Sequence, residues 1–448
     1  GLAVMGQNLI LNLNDHGFTV CAHNRTVSKV HDFLKNEAKG TRVIGADTLE
    51  DMVRVLKRPR RILLMVRAGD AVDEYIDRLT GLLEPGDIII DGGNSNYADT
   101  DRRCVELGKR NIHFVGMGVS GGEEGARYGP SLMPGGSEGA WPHISDMMTS
   151  IAAKAANGEP CCAWIGSGGS GHYVKMVHNG IEYGDMQLIG EAYHVMLEGL
   201  NLSNEQMAGV FDQWNAGKLD SFLISITRDI LKFKDAKGNH VIDRIRDVAG
   251  QKGTGKWTVI SGLDLGIPAT LIAEAVFARG LSGLVKDRSL VQQAYDKPTF
   301  EGEPEDLSSR LDDLMEALYV SKILSYTQGF ALLQAASNQY NWNIDLGSVA
   351  LMWRGGCIIR SAFLGDIERA FRAKTAISTL LVDPFFKKAV QEGEAGWRRT
   401  LIFAISKGIP MPCMSAALAY FDSLRSGRLP ACLIQAQRDY FGAHTFEY

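Results

Sequence analysis

Three uninterrupted apolar runs of strand length, Arg61–Val66 (RILLMV), Asp87–Asp91 (DIIID) and Ile112–Val119 (IHFVGMGV), lie early in the chain with helical stretches between them. A run with no polar alternation fits a strand covered on both faces, and strands separated by helices make a doubly wound parallel sheet. Phe18–His23 adds a short β-rich run, followed by a helix predicted over 28–36. A last strand is expected over Ala163–Gly168, where the glycine-rich stretch 166–171 marks the exit from this first unit. From there on the pattern is helical for most of the chain.

The sequence opens GLAVMGQN, with Gly1, Ala3 and Gly6 in the three positions of a G-x-G-x-x-G fingerprint and alanine in the second. The first glycine permits the tight turn, the second position lets backbone approach a pyrophosphate, and the third allows close helix–strand packing. The pyrophosphate would rest on the N-terminus of a helix beginning near Met5 and ending at His16-Gly17. The strand that normally precedes such a turn is not in the sequence, and a short segment ahead of Gly1 is expected. About 20 residues further on, an NAD site carries Asp or Glu for the ribose hydroxyls. Here stands Asn24-Arg25-Thr26, which suits the 2′-phosphate of NADP. Two glycine loops, at 91–95 (DGGNS) and 120–125 (SGGEEG), follow predicted strands and hang where ligands bind in such sheets.

The helix predicted from Gly171 to about Met196 carries an apolar stripe of Val174, Val177, Ile181 and Leu188. Lys175, His178, Asn179 and Glu182 form a second stripe at i, i+3, i+4 and i+7, within an arc of roughly 100°. A polar stripe is ordinarily a solvated face. This one mixes a base, an acid, an imidazole and an amide, and it is interrupted by Gly180, which permits close packing. An amine and a carboxyl two turns apart can serve as base and acid at opposite ends of a small substrate.

The stretch 250–257 (GQKGTGKW) nearly spells a P-loop, but Trp257 stands where a Mg²⁺-binding Ser or Thr is needed, and no strand precedes it. Lys252 can still hold a phosphate, and Arg279 and Arg438 are lone cations in mostly apolar or amide surroundings. The segments YGDMQ (183–187), Trp214 and SFL (221–223) echo YTQGF (326–330), Trp353 and SAFL (361–364), as in a duplicated helical unit whose second copy lacks the polar stripe.

Composition narrows the function classes. At 448 residues the chain needs two or three domains, and a net charge of −5 leaves no basic surplus for nucleic acid. No apolar stretch approaches the roughly 20 residues of a membrane span. Seven scattered cysteines, an odd number, fit reduced thiols in a cytoplasmic compartment. With no C-x-x-C pair, and no zinc-hydrolase glutamate beside His172 and His178, no metal is expected.

Taken together, GLAVMGQN, NRT, DGGNS, SGGEEGARYGPSLMPGG, GHYVKMVHNGIEYGDMQL, QKGTGKWT, VFARGLSGL and IQAQRDYFGAH resemble the decarboxylating 6-phosphogluconate dehydrogenase family of the β-hydroxyacid dehydrogenase superfamily. The likeness runs almost end to end. It implies a Rossmann-like NADP-binding domain (1–168), an all-helical substrate and dimerisation domain (169–426), and a C-terminal tail starting at 427–448 and continuing past Tyr448. It implies conversion of 6-phospho-D-gluconate and NADP⁺ to D-ribulose 5-phosphate, CO₂ and NADPH, without a metal. By resemblance Lys175 is the general base at the C3 hydroxyl and Glu182 the acid at C1. Asn94, Ser120, Gly121, Gly122, His178 and Asn179 match positions on the sugar acid; Tyr183, Lys252, Arg279, Arg438 and His444 match its phosphate end. Gly1, Leu2, Ala3, Val4, Met5, Gly6, Asn24, Arg25, Thr26, Val66, Arg67, Ala68 and Asn94 match the cofactor site, with Arg67 where the family often has lysine. In the family the segment of Arg438 and His444 enters the neighbouring subunit of a homodimer. Two rival readings stay open: another β-hydroxyacid dehydrogenase acting on a non-phosphorylated acid, and a dinucleotide-binding protein without turnover.

Overall fold

The computed structural model describes residues 1–296, 298, 306–373 and 377–448. The first part alternates: α1 (Val4–Asp15), β1 (Cys21–His23), α2 (Ser28–Lys35), β2 (Ile44–Ala46), α3 (Leu49–Val55), β3 (Arg61–Leu64), α4 (Asp70–Thr80), β4 (Ile88–Asp91), α5 (Tyr97–Gly108), β5 (His113–Ser120), α6 (Gly122–Tyr128), β6 (Ser131–Gly136) and α7 (Trp141–Ile151). This is a Rossmann-like α/β unit, and the helical remainder packs on it.

The sheet falls into two pieces. β1 and β2 pair in parallel, and a separate four-stranded sheet runs β3-β4-β5-β6. Between β1 and β3 lies a cavity of about 430 Å³, lined by Leu9 and Leu13 of α1 together with Val20, Ala22 and Leu63. The expected parallel pairing holds for β3, β4 and β5, and one edge adds an antiparallel strand. β6, not expected from sequence, runs antiparallel to β5, with Val115 opposite Gly136 and Ser120 opposite Ser131. The strand expected at Ala163–Gly168 is an extended segment with only isolated bridges, Leu132 to Cys162 and Gly136 to Ser167. Ile89, Phe114 and Val115 are fully buried, as expected of runs covered on both faces.

The central helix α8 (Ser170–His194) continues into a π-turn at Val195–Gly199. After it come α9 (Asn204–Asn215), α10 (Phe222–Lys232), α11 (Thr254–Asp264), α12 (Thr270–Ser282), α13 (Val285–Ala294), α14 (Leu307–Tyr340), α15 (Leu346–Met352), α16 (Leu364–Arg372), α17 (Pro384–Ser406), α18 (Pro412–Arg425) and α19 (Ala431–Gly442). α8 and α14 are the two long buried helices. The echoing segments meet in space: Ser221 and Ser361 form an isolated antiparallel bridge, and Asp185 is held by Lys322 and Tyr326.

Two glycines of β5 set the approach of α8. A Cβ on Gly118 would stand 2.5 Å from Lys175 Cβ, and one on Gly116 would stand 2.7 Å from His172 Nδ1. Side chains there would push the helix off the sheet, so the first turns of α8 rest directly on β5 backbone. That contact places Lys175 at the junction of the two parts.

Candidate active site

A cleft of about 2030 Å³ runs along that junction. One end is the opening turn. A Cβ on Gly1 would stand 2.2 Å from Met65 O, and one on Gly6 would stand 2.0 Å from Gly1 O, so only bare backbone fits. Leu2 N donates to Asn24 Oδ1 at 3.0 Å, fastening the turn to the end of β1. No side chain caps the N-terminus of α1, and its first amides face the cleft for an anion. Arg25, Thr26 and Lys29 line the same end, and Arg78 of α4 approaches from across it. Bare backbone, an uncapped helix and a cluster of cations fit a dinucleotide with an additional phosphate.

Midway, Val66, Arg67 and Ala68 follow β3, and Asn94 stands exposed in the loop after β4. Ser120 ends β5, and Gly121 and Gly122 take φ of +112° and +62° to turn the chain into α6. Their amides are thereby opened to the cleft without side chains in the way.

The floor is α8. Lys175 is 6% exposed and His178 is fully buried. His178 Nε2 lies 3.1 Å from Ser120 Oγ. Its Nδ1 lies 3.0 Å from Asn179 Oδ1, 3.5 Å from Lys175 Nζ and 3.8 Å from Glu182 Oε2. The polar stripe therefore faces inward, with the imidazole between amine and carboxyl. Burial pushes the Lys175 amine below its ordinary 10.5, with Glu182 pulling the other way. Burial also raises the Glu182 carboxyl, against the charges of Lys175 and Arg279. His178 is held well below its usual range by burial and then by Lys175. Burial thus moves the amine toward its neutral form and the carboxyl toward its protonated form, the directions a base and an acid require.

At the far end Arg279 stacks on the Tyr183 ring, 3.5 Å from its centroid, and donates to Gly250 O at 3.0 Å. Lys252 is exposed beside them. Two cations and a phenol make a corner whose chemistry suits an anion. Among the described residues, no group of three or more His, Cys, Asp or Glu side chains is placed to hold a metal ion.

This geometry can be set beside known proteins. Residues 1–166 match the NAD binding domain of 6-phosphogluconate dehydrogenase, and residues 171–448 match the 6-phosphogluconate dehydrogenase C-terminal domain. The chain belongs to the 6-phosphogluconate dehydrogenase family. It is 61% identical to the decarboxylating 6-phosphogluconate dehydrogenase of Ovis aries and 60% identical to that of Homo sapiens, covering 100% of this chain and 92% of each relative. Among solved structures it is similar to the 6-phosphogluconate dehydrogenase of Plasmodium falciparum, with a TM-score of 0.96 and 44% identity over 100% of this chain and 96% of that one. That protein was solved alone, with its cofactor NADP⁺ and with its substrate 6-phosphogluconate.

Within this member of the family, the cleft gathers the expected residues 1–6, 24–26, 66–68, Asn94, 120–122, Lys175, Asn179, Glu182, Tyr183, Lys252 and Arg279. His178 stands just behind this surface, against Ser120 and Lys175. Arg438 and His444 do not reach the cleft of their own chain. Both are exposed around α19, where Arg438 donates to Gln435 Oε1 at 3.1 Å. The sequence reading missed Lys29, Tyr75, Arg78 and Ile358. Lys29 lies one helical turn beyond Arg25 and could have been found by that spacing. Arg78 and Ile358 come from distant segments and carry no local signal.

Proposed function

We propose that the chain converts 6-phospho-D-gluconate to D-ribulose 5-phosphate and CO₂ while reducing NADP⁺, as the enzymes named for its relatives do. The observation that carries this is the inward face of α8: Lys175 and Glu182, each within 4 Å of His178 Nδ1, at the floor of a cleft that begins at a dinucleotide turn. Residues 1–6, 24–26 and 66–68 would hold NADP⁺, which supplies a hydride acceptor when bound. Lys175, whose amine burial pushes toward its neutral form, takes the proton of the C3 hydroxyl as C3 gives up its hydride to the bound acceptor. The 3-keto acid then loses CO₂, and the protonated amine donates to the C3 oxygen as negative charge develops there. Glu182, inclined to hold its proton, delivers it to C1. Ser120 and His178 orient the sugar acid, and Lys252, Arg279 and Tyr183 take the phosphate.

The site is completed in a homodimer, with Arg438 and His444 entering the cleft of a second copy. Supporting this, α19 has no buried residue, and its Leu433, Ile434, Tyr440 and Phe441 are exposed. The working division is 1–168 for cofactor, 169–426 for substrate and dimerisation, and 427–448 for the partner's site. All seven cysteines are free, which suits a cytoplasmic enzyme.

One assay tests the reaction: NADPH absorbance with 6-phosphogluconate against 3-hydroxyisobutyrate, with NADP⁺ and then NAD⁺. Strong signal is expected for the phosphorylated acid with NADP⁺. Silence with that pair removes the reading, and equal signal with 3-hydroxyisobutyrate transfers it to the wider superfamily.

A further inference from the structure

One turn before Lys175, His172 is 1% exposed and outside the cleft. Its Nε2 lies 3.1 Å from the main-chain oxygen of Asp91, and its Nδ1 lies 2.7 Å from Thr100 Oγ1. A carbonyl oxygen can only accept, so Nε2 carries the ring proton and Nδ1 receives the Thr100 hydroxyl. Both partners belong to the cofactor-binding part: Asp91 ends β4, and Thr100 lies in the first turn of α5.

Asp91 is also what shapes the loop after β4. Its Oδ1 accepts from Gly93 N at 3.0 Å and its Oδ2 from Ser95 Oγ at 2.5 Å, so one carboxylate grips both neighbours of Asn94. The buried Arg103 stands behind it, with Nη1 3.5 Å from Asp91 Oδ2. Arg103 also donates to Asp73 at 2.8 Å and to Gly69 O at 3.2 Å. The loops after β3 and β4, which carry residues 66–68 and Asn94, are thus tied to one buried ion network. His172 is the side chain of α8 that reaches it. Burial keeps the imidazole below its usual range, against the nearby Asp91 charge and with that of Arg103, so both hydrogen bonds are those of a neutral ring. Gly116, whose added Cβ would meet both His172 and Thr100, leaves the space for this strut.

We infer that His172 is a positioning residue, holding the helix of Lys175 and Glu182 in register with the loop of Asn94 so that the two walls of the cleft keep their separation. It touches neither substrate nor cofactor, and its effect on rate rests on the reaction proposed above. Loss of the strut lets the C3 hydrogen drift from its acceptor, and small misplacements of reacting atoms cost large factors in rate.

The test compares His172→Leu, His172→Gln and Thr100→Val with the parent in the full chain, using 6-phosphogluconate with hydrogen or deuterium at C3. For His172→Leu, kcat is expected to fall on the order of tenfold or more, with a larger isotope effect because hydride transfer becomes slower than the steps around it. The amide of His172→Gln can donate to Asp91 O and should recover most of the loss. Thr100→Val, nearly isosteric, should give a smaller change in the same direction and serves if the leucine variant does not fold. A fall in kcat that merely follows the folded fraction, with an unchanged isotope effect, overturns the inference, as does parent-like kcat in His172→Leu. ¹⁵N resonances of the imidazole give a readout independent of turnover. A neutral Nε2–H ring is expected at about pH 7 to 8, and a protonated or Nδ1–H ring there overturns the strut. A parent that gives no NADPH while showing that tautomer would sink the proposed reaction and leave the hydrogen-bond geometry standing.

Discussion

Two lysines are buried in the helical part, Lys175 on α8 and Lys322 on α14, and they have opposite surroundings. Lys322 of α14 is 1% exposed and bonded to Asp185 Oδ2 at 2.5 Å, with Tyr326 Oη 3.3 Å from the same oxygen. Lys175 of α8 is almost as deep, yet its close polar neighbour is an imidazole nitrogen at 3.5 Å rather than a carboxylate. Glu182, the nearest acid along the helix, is itself partly exposed and raised by burial. Buried charge is normally paired because desolvation is costly. Where pairing is complete the group belongs to the scaffold; where it is withheld, the group is left with a perturbed proton to give or take.

The largest expected effect separates the two. Lys175→Met should lower turnover by roughly 10²–10⁴, the range for removing a general acid–base group, while 6-phosphogluconate still binds and thermal stability is kept. Retention of more than a few per cent of parental kcat would assign the base elsewhere. Lys322→Met should do the reverse. It strands the Asp185 carboxylate, whose Oδ1 already lacks a partner, and should cost about 3–5 kcal/mol of unfolding free energy, measured by denaturant titration. Adding Asp185→Leu should return much of that, since a buried pair is often replaceable by apolar packing. If Lys322→Met left stability untouched and Lys175→Met lowered it by that amount, the division into scaffold lysine and reactive lysine would be wrong.

The sequence showed one of these lysines and hid the other for a physical reason. The face of Lys175, His178, Asn179 and Glu182 is written in helical spacing, so the eight residues 175–182 reveal it. Lys322 and Asp185 are separated by 137 positions, and only packing of α8 on α14 brings them together. His172 and Thr100, 72 apart, escaped for the same reason. The fold follows the same rule. β3, β4 and β5 were legible as continuous apolar runs. β6 contains Pro134 and two glycines, reads as a turn, and becomes a strand only through its ladder with β5. β2 has three residues and too little pattern to find.

The smallest effect sharpens the comparison at the reactive end. Glu182 is the main charge favouring the protonated form of Lys175, and burial is what opposes it. In its ionised form Glu182 favours the charged amine, and Glu182→Gln removes that charge, so the amine loses its proton at lower pH. A base must be neutral to act, and kcat/KM therefore rises on the acid limb as Lys175 deprotonates. The limb should move to lower pH in the variant, whatever happens to the height of the plateau, and both limbs should lie below the 10.5 of an ordinary lysine. At Asp185 the same substitution logic runs differently. Its charge is taken up by Lys322, so Asp185→Asn should leave the acid limb in place even where it weakens the fold. A limb that moved with Asp185 and stayed with Glu182 would mean that the group titrating in the rate profile is not Lys175.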